Sequence, residues 1–437
     1  MHAANVKPKV NWSVLYQLED WWANWLGAGL LLLAANRVIS TVPKIAKWQS
    51  SLSQALPISD IIPLLSMGLI IGLVAAFALK IMDKDARGFL IGYPFVFLLA
   101  VAAYIIGAQE TLSLYGFNYV IWALILGMAI TNIFGHITWL QSALKAEMFI
   151  KTGLVLMGAE ILFNRVMALG VYGLGVAWLV TPIVLYVMYW LGTRLLKIQS
   201  KSLVATIAAT TSVCGVSAAI ATGAATKARK EEVSFAISIS LIFTILMMLG
   251  LPPLIRVMGL GEVVGGAWIG GTVDSTGAVV AAGAMLGKTA TEVAALVKML
   301  QNALIGLVSF GLAVIWVSRV ERKPGESRPS PLEIWVRFPK FIIGFMLASA
   351  LFSFILIPGL GDKAVNDIIK VTTVLRNWLF CIAFVSIGLD TNFAEMKRLA
   401  GDHRPVMLYI LGQTFNLVLT LAAAWFFFSG HFFPPIR

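Results

Sequence analysis

Charge is scarce in this 437-residue chain: Asp, Glu, Lys and Arg make up 12% of it, against roughly 25% in soluble globular proteins. Water is therefore a poor candidate for its main solvent. Cysteine is nearly missing as well. Cys214 and Cys381 both fall inside apolar stretches, which excludes a disulfide framework and a thiolate metal cluster. The four histidines, His2, His136, His403 and His431, lie outside the apolar runs and form no ligand spacing. Enzyme motifs are lacking too. The stretch from Gly283 through Gly287, Lys288 and Thr289 has three residues between its glycines, where a phosphate-binding loop needs four. An intramembrane enzyme using Cys214 or Ser212 as nucleophile would have no histidine base at membrane depth. The expectation is no enzyme activity, no cofactor and no metal.

What the chain has is apolar length, with 59% hydrophobic residues. Uncharged runs cover 61–79, 88–109, 111–135, 166–193, 202–226, 233–255, 299–318, 341–361 and 405–430. Each is long enough for a hydrocarbon core of about 30 Å, which takes about 20 residues as helix. Helix is imposed, because the bilayer offers the backbone no water to bond. Weaker candidates are 21–36, 146–163, 263–287 and 371–389, the last three interrupted by Lys151 and Glu160, by Asp274 and by Arg376. The fold class is all-α: a polytopic membrane bundle of about 11–13 segments. Residues 1–20, with Trp12 ahead of Trp21, Trp22 and Trp25, read as an interfacial segment without a cleavable leader. Residues 21–430 read as one transmembrane transporter domain.

The formal charge is +12, but the basic residues sit in short loops between apolar runs. Orientation by the positive-inside rule explains this, and nucleic acid is not an expected partner. The linker 319–340, with Arg319, Arg322, Lys323, Arg328, Arg337 and Lys340 alongside Pro324, Pro329 and Pro331, is placed in the cytoplasm. Counting outward puts loops 80–87, 145–151, 194–201 and 397–404 inside with it. Lys227, Arg229 and Lys230 would then lie outside if 202–226 crossed the membrane. The conflict disappears if 202–226 is broken and re-enters, which by parity requires 263–287 to re-enter from the opposite side. Arg37, Lys44 and Lys47 remain outside on either count.

The two interrupted segments resemble each other. TTSVCGVSAAIATGAA (210–225) and GGTVDSTGAVVAAGAML (270–286) each place hydroxyl residues before a Gly and small residues after it. A second echo links 153–170 to 384–401, aligning Gly158 with Gly388, Phe163 with Phe393 and Leu169 with Leu399. Inverted-repeat transporters leave weak repeats of this kind, although close helix packing also selects small residues.

Polar groups at membrane depth mark function by default. An unwound turn exposes carbonyls to a cation and a half-helix N-terminus to an anion. The candidate substrate-binding residues are Ser212, Cys214, Gly215 and Ser217 on one segment and Asp274, Ser275, Thr276 and Gly277 on the other. Thr210 and Thr211 supply comparable donors. Asn302 joins the set, since Lys298, Gln301 and Asn302 share a helix face. Arg376 is added because its fork suits a carboxylate, sulfonate or sulfate, although it could instead snorkel to headgroups. Asp274, Glu160 and Asp390 are the candidate coupling-ion residues for H+ or Na+. Asn132 could be a helix cap or a pore-facing amide.

At these same segments the chain resembles the YeiH-like sulfate exporter family over roughly residues 60–430. The anchors are KTGLVLMG (151–158), SVCGVSAAIAT (212–222), VVAAG (279–283) followed by VKML (297–300), and SIGLDTNF (386–393). That family is grouped with bile-acid-symporter-like and auxin-carrier-like transporters. The resemblance implies inverted repeats with two discontinuous helices crossing near the midplane, and one bundle moving against a scaffold around a small anion. This chain departs from the pattern where Asp274, Ser275 and Ala278 replace a typical His, acid and Gln, and where Gln301 replaces an Arg. Sulfate itself does not carry over.

The reading is a secondary transporter and exporter of a small anion, such as a sulfur oxyanion or organosulfonate, in a bacterial-type inner membrane. It would be driven by H+ or Na+ or run downhill, with lipid and further copies of the chain as partners. The alternative is a Na+/H+-type exchanger using membrane-embedded carboxylates.

Overall fold

The computed structural model describes residues 13–114, 117–135, 137–316, 335–336, 338–392 and 403–434. Most of the linker 319–340, the loop 397–402, Trp12, and Phe393 and Leu399 of the second echo lie outside the described residues. The longer helices in chain order are α1 (Glu19–Ala35), α2 (Ile58–Ile81), α3 (Ala86–Gly107), α4 (Tyr119–Phe134), α5 (Ala146–Gly158) and α6 (Phe163–Trp190). Next come α7 (Lys201–Ser212), α8 (Gly215–Ala225), α9 (Lys230–Val257), α10 (Glu262–Thr272) and α11 (Thr276–Leu286). The last are α12 (Lys288–Ile315), α13 (Phe341–Leu351), α14 (Asp362–Leu389) and α15 (His403–Phe428). Among the described residues the only β pairing is an isolated bridge between Trp48 and Gln109.

Among the described residues eight helices are long and apolar enough to cross a membrane, so the chain is a membrane-integral helical bundle. α12 and α14 are its axis: 72% and 67% of their apolar windows are buried, against 28% to 39% for the other six. Small residues make the enclosure close. A Cβ at Gly388 would stand 2.6 Å from the Leu124 carbonyl, and one at Gly127 would stand 2.7 Å from the Val385 carbonyl. Backbone therefore meets backbone where α4 crosses α14. Gly158, aligned with Gly388 in the second echo, likewise lies directly against the Phe345 backbone.

Both interrupted segments are re-entrant hairpins. Ser200 and Ser202, at the start of α7, donate to Glu232 Oε1 and Oε2 at 2.6 and 2.9 Å. Glu232 lies just beyond the end of α8, so the segment leaves where it entered. On the second segment, Glu262 at the start of α10 accepts from the Ala290 amide at 3.2 Å, just past the end of α11. The two hairpins share α9 as a strut. Glu232 sits at its first turn, while Arg256 in its last turn donates to the Met285 carbonyl of the second hairpin. They thus enter from opposite ends, with their tips meeting between. The crossing implied by the family resemblance is not what these segments do: their breaks meet, and each segment then turns back.

This geometry resolves the charge conflict. Lys227, Arg229 and Lys230 follow the first hairpin back to the end that holds the α6–α7 loop with Arg194 and Lys197. The opposite end carries Arg256, Glu262 and Lys288. Lys44 lines a cavity there with Lys288 and Lys370, so this part of the basic charge does sit at the second end.

Candidate functional site: the meeting point of two helical hairpins

Each hairpin tip strands helix ends inside the bundle, where the last carbonyls have no helical partner. Side chains from neighbouring helices supply the donors. Lys298 Nζ reaches the Val213 carbonyl at 2.6 Å, and Gln301 Nε2 bridges the Ser212 and Gly271 carbonyls at 3.0 and 3.1 Å. From α15, Gln413 Nε2 donates to the Thr272 carbonyl and Asn416 Nδ2 to the Thr211 carbonyl, both at 3.1 Å. Thr181 on α6 donates to the Ser212 carbonyl at 3.0 Å. The hydroxylated, glycine-broken sequence is therefore tolerated because amides and an ammonium on α12 and α15 close its open ends.

Asp274 joins the tips. Its carbonyl accepts from the Gly215 amide at 2.8 Å, at the first residue of α8. Its carboxylate accepts from Ser240 Oγ at 3.1 Å and from the Tyr409 hydroxyl. The residue is 1% exposed, and among the described residues no ion pair within 4 Å reaches it. Its hydrogen-bond donors are hydroxyls, with Lys298 near enough to act on it but beyond ion-pair distance, and an acid at such depth is costly to keep without a role.

Two half-helix N-termini converge here, those of α8 and α11, and each carries a partial positive charge. Polar side chains with spare oxygens stand around them. Asn302 Nδ2 donates to Thr276 Oγ1 at 3.0 Å, while its Oδ1 has no partner. Ser212 Oγ, Thr244 Oγ1, Thr272 Oγ1 and Gln413 Oε1 are also buried without partners. Unpaired buried polar atoms are uncommon in folded proteins and call for an explanation such as a water or ligand.

A cavity of about 580 Å³ leads to this point. Its mouth holds Glu19, Lys145 and Glu147; Asp390 and Ser386 stand on its wall; Thr244, Ser275 and Ala278 lie at its inner end. Burial, and then the nearby Lys84 charge, hold the Lys145 ammonium below its ordinary range. Ser275 and Val216 are thus the tip residues that face the open cavity, and Ser275 is the polar one.

The structure brings together Ser212, Cys214, Gly215, Asp274, Ser275, Thr276, Gly277 and Asn302. Cys214 caps α8 from a buried position, and Gly277 is pressed against Ile150 and Ile387. Ser217 lies outside the cluster, exposed on α8. Asp390 lines the cavity as the C-terminal cap of α14. Arg376 and Glu160 are elsewhere, paired with each other at 2.9 Å, with side chains 8% and 0% exposed. Ile387 touches the tip, and Arg376 lies eleven residues back along α14, about 16 Å toward the opposite end. Arg376 stands mid-helix, and two further guanidinium donors go to Asn377 Oδ1 at 3.3 and 3.0 Å. It therefore does not snorkel. Asn132 bonds the Met128 and Thr391 carbonyls at 2.8 Å, tying α4 to the end of α14.

Sequence reading missed Ser240, Tyr409, Gln413 and Asn416. A signal for the last three was present. They recur at i, i+4 and i+7 in the otherwise apolar run 405–430, the spacing of one helix face.

Residues 91–428 match the family described as Conserved hypothetical protein 698. A UPF0324 membrane protein of Rhodopirellula baltica is 49% identical over 389 residues, covering 88% of this chain and 71% of the relative. One from Nitratidesulfovibrio vulgaris is 46% identical over 401 residues, covering 88% and 69%. Another, from Nitrosomonas europaea, is 30% identical over 487 aligned positions, covering 97% and 98%. No solved structure matches.

Proposed function

Because the chain belongs to the Conserved hypothetical protein 698 family, with UPF0324 membrane proteins as its relatives, we propose that it is a secondary transporter that exports a small anion by alternating access. The anion, of the sulfur-oxyanion or organosulfonate class, binds at the N-terminus of α11. Ser275 and the first α11 amides face it from the cavity floor, with Thr276 and Asn302 behind them. Driving force comes from H+ or Na+, or from the anion's own gradient. The basic loops at the cavity end orient that end to the cytoplasm of a bacterial-type inner membrane.

One observation carries this reading. The 2.8 Å bond from Gly215 to Asp274 joins two hairpins of opposite direction at the floor of an open cavity. Discontinuous helices meeting at mid-depth are the arrangement in which transporters hold substrates, with N-termini toward anionic groups. The YeiH-like motifs support an oxyanion in particular.

A second reading is favoured by Asp274, whose carboxylate accepts hydrogen bonds from two hydroxyls and forms no direct ion pair among the described residues. There the protein exchanges Na+ and H+ on this acid. Thermal melting of the purified protein with sulfate, sulfite, sulfonates, carboxylates and Na+ separates the two, since a ligand that prefers the native state raises the melting point. The anion reading expects stabilisation by an anion, lost in Asn302→Leu. Stabilisation by Na+ alone, lost in Asp274→Asn, would favour the exchanger.

A further inference from the structure

Lys298 is a buried lysine with an unusual set of neighbours. It is 1% exposed, and no carboxylate of the described residues lies within 4 Å of its Nζ. Its Nζ donates to the Val213 carbonyl at 2.6 Å and to Gln301 Oε1 at 2.8 Å. Val213 caps the C-terminus of α7, the negative end of that half-helix.

The surroundings are rich in oxygen. Gln301 Nε2 touches both the Ser212 and Gly271 carbonyls, so the C-terminal ends of α7 and α10 lie side by side. The last residues of those half-helices, Ser212 and Thr272, each hold a buried hydroxyl without a partner. Gln413 Oε1, whose amide nitrogen binds the Thr272 carbonyl, is unpartnered as well. Carbonyls and hydroxyls at half-helix C-termini are what Na+-coupled carriers use to hold Na+. Here an ammonium already occupies that environment. A second cation about 4 Å away would bind roughly a thousandfold more weakly at the effective dielectric of a protein site.

We propose that Lys298 is the resident cation of the hairpin meeting point, standing where a coupling Na+ would otherwise bind, so that the protein works without Na+. The tethered ammonium balances both half-helix C-termini and the Asp274 carboxylate, while the N-termini of α8 and α11 stay open to the anion. This deepens the transporter reading by excluding one coupling ion, and it rests on that reading only for the word coupling.

The test is melting of the detergent-purified full chain in NaCl, KCl or choline chloride at equal ionic strength, for the wild type, Lys298→Ala and Lys298→Met. The wild type is expected to melt alike in all three salts. Lys298→Ala, which vacates the ammonium and its space, is expected to gain a Na+-specific rise of at least about 3 °C at saturating Na+. Lys298→Met removes the charge while filling the volume, and is expected to show a smaller rise of the same specificity. A Na+-specific rise in the wild type overturns the proposal, as does a folded Lys298→Ala protein indifferent to Na+. Should neither variant melt cooperatively, binding of radioactive Na+ to the wild type decides: none is expected, and stoichiometric binding overturns the proposal. A failed anion screen would leave these results standing, so the two readings fail separately.

Discussion

The amide of Gly215 donates to the carbonyl of Asp274 at 2.8 Å, and this one bond joins hairpins whose bases lie at opposite ends of α9. It sets the first residue of α8 against the middle of the three residues that separate α10 from α11. A helix N-terminus, a buried acid and the end of a cavity therefore share one place.

The topology predicts sidedness. A cysteine at position 229 and one at position 145 should react with a membrane-impermeant thiol reagent from the same side, and a cysteine at position 288 only from the other. Cys214 and Cys381 are buried, so they give a low background. Labelling of 229 and 288 from one side would break the re-entrant scheme.

Glu160 and Arg376 form a buried ion pair remote from the tips. Removing either partner leaves an uncompensated buried charge, which costs about 3–5 kcal/mol. Glu160→Gln or Arg376→Met is therefore expected to lower the melting point sharply. The double variant should recover much of the loss, and the anion response should survive in it. A double variant no more stable than the singles would show that the pair's geometry is misread.

Close packing of α4 on α14 gives a third expectation. Gly388→Ala would drive a methyl to 2.6 Å from the Leu124 carbonyl, and backbone cannot swing aside as a side chain can. A loss of about 1–3 kcal/mol follows from overpacking, read as a lower melting point. Gly311→Ala, where a Cβ meets nothing within 4 Å, is the neutral control.

Asp85 caps α3 at the cavity end. A hydrogen bond from Ser142, then one from the Gly88 amide, hold its carboxyl below the usual range. Its contribution to stability is thus present above the unfolded carboxylate value of about 3.9 and is lost as pH falls through the lower folded value. Asp85→Asn should flatten the acid side of a melting-point profile below about pH 4; an unchanged profile would remove the cap from the account.

The hairpins were legible in the sequence because their cause is local. Gly, Ser and Thr interrupt two apolar runs, and full crossing would put the Lys227–Lys230 cluster against the positive-inside bias. Lys298, Gln301 and Asn302 were legible for the same reason, sharing one face of one helix. Arg376 was not. Its partner is 216 residues away in sequence, and a charge inside an apolar run looks like the edge of a shorter helix. Tyr409 and Gln413 were hidden differently, since run 405–430 reads as an ordinary span. Their role follows from facing two half-helix ends that only the folded bundle places beside them.

The central claim is that this meeting point carries a small anion across the membrane, and counterflow in proteoliposomes tests it most directly. Vesicles loaded with an unlabelled anion that raises the melting point are diluted into the same labelled anion. Accumulation equal in NaCl and choline chloride is expected from the Lys298 proposal, and accumulation only when Na+ is present would overturn that proposal alone. Transient accumulation of label above equilibrium is expected, abolished in Asn302→Leu, and label that merely equilibrates would contradict carriage.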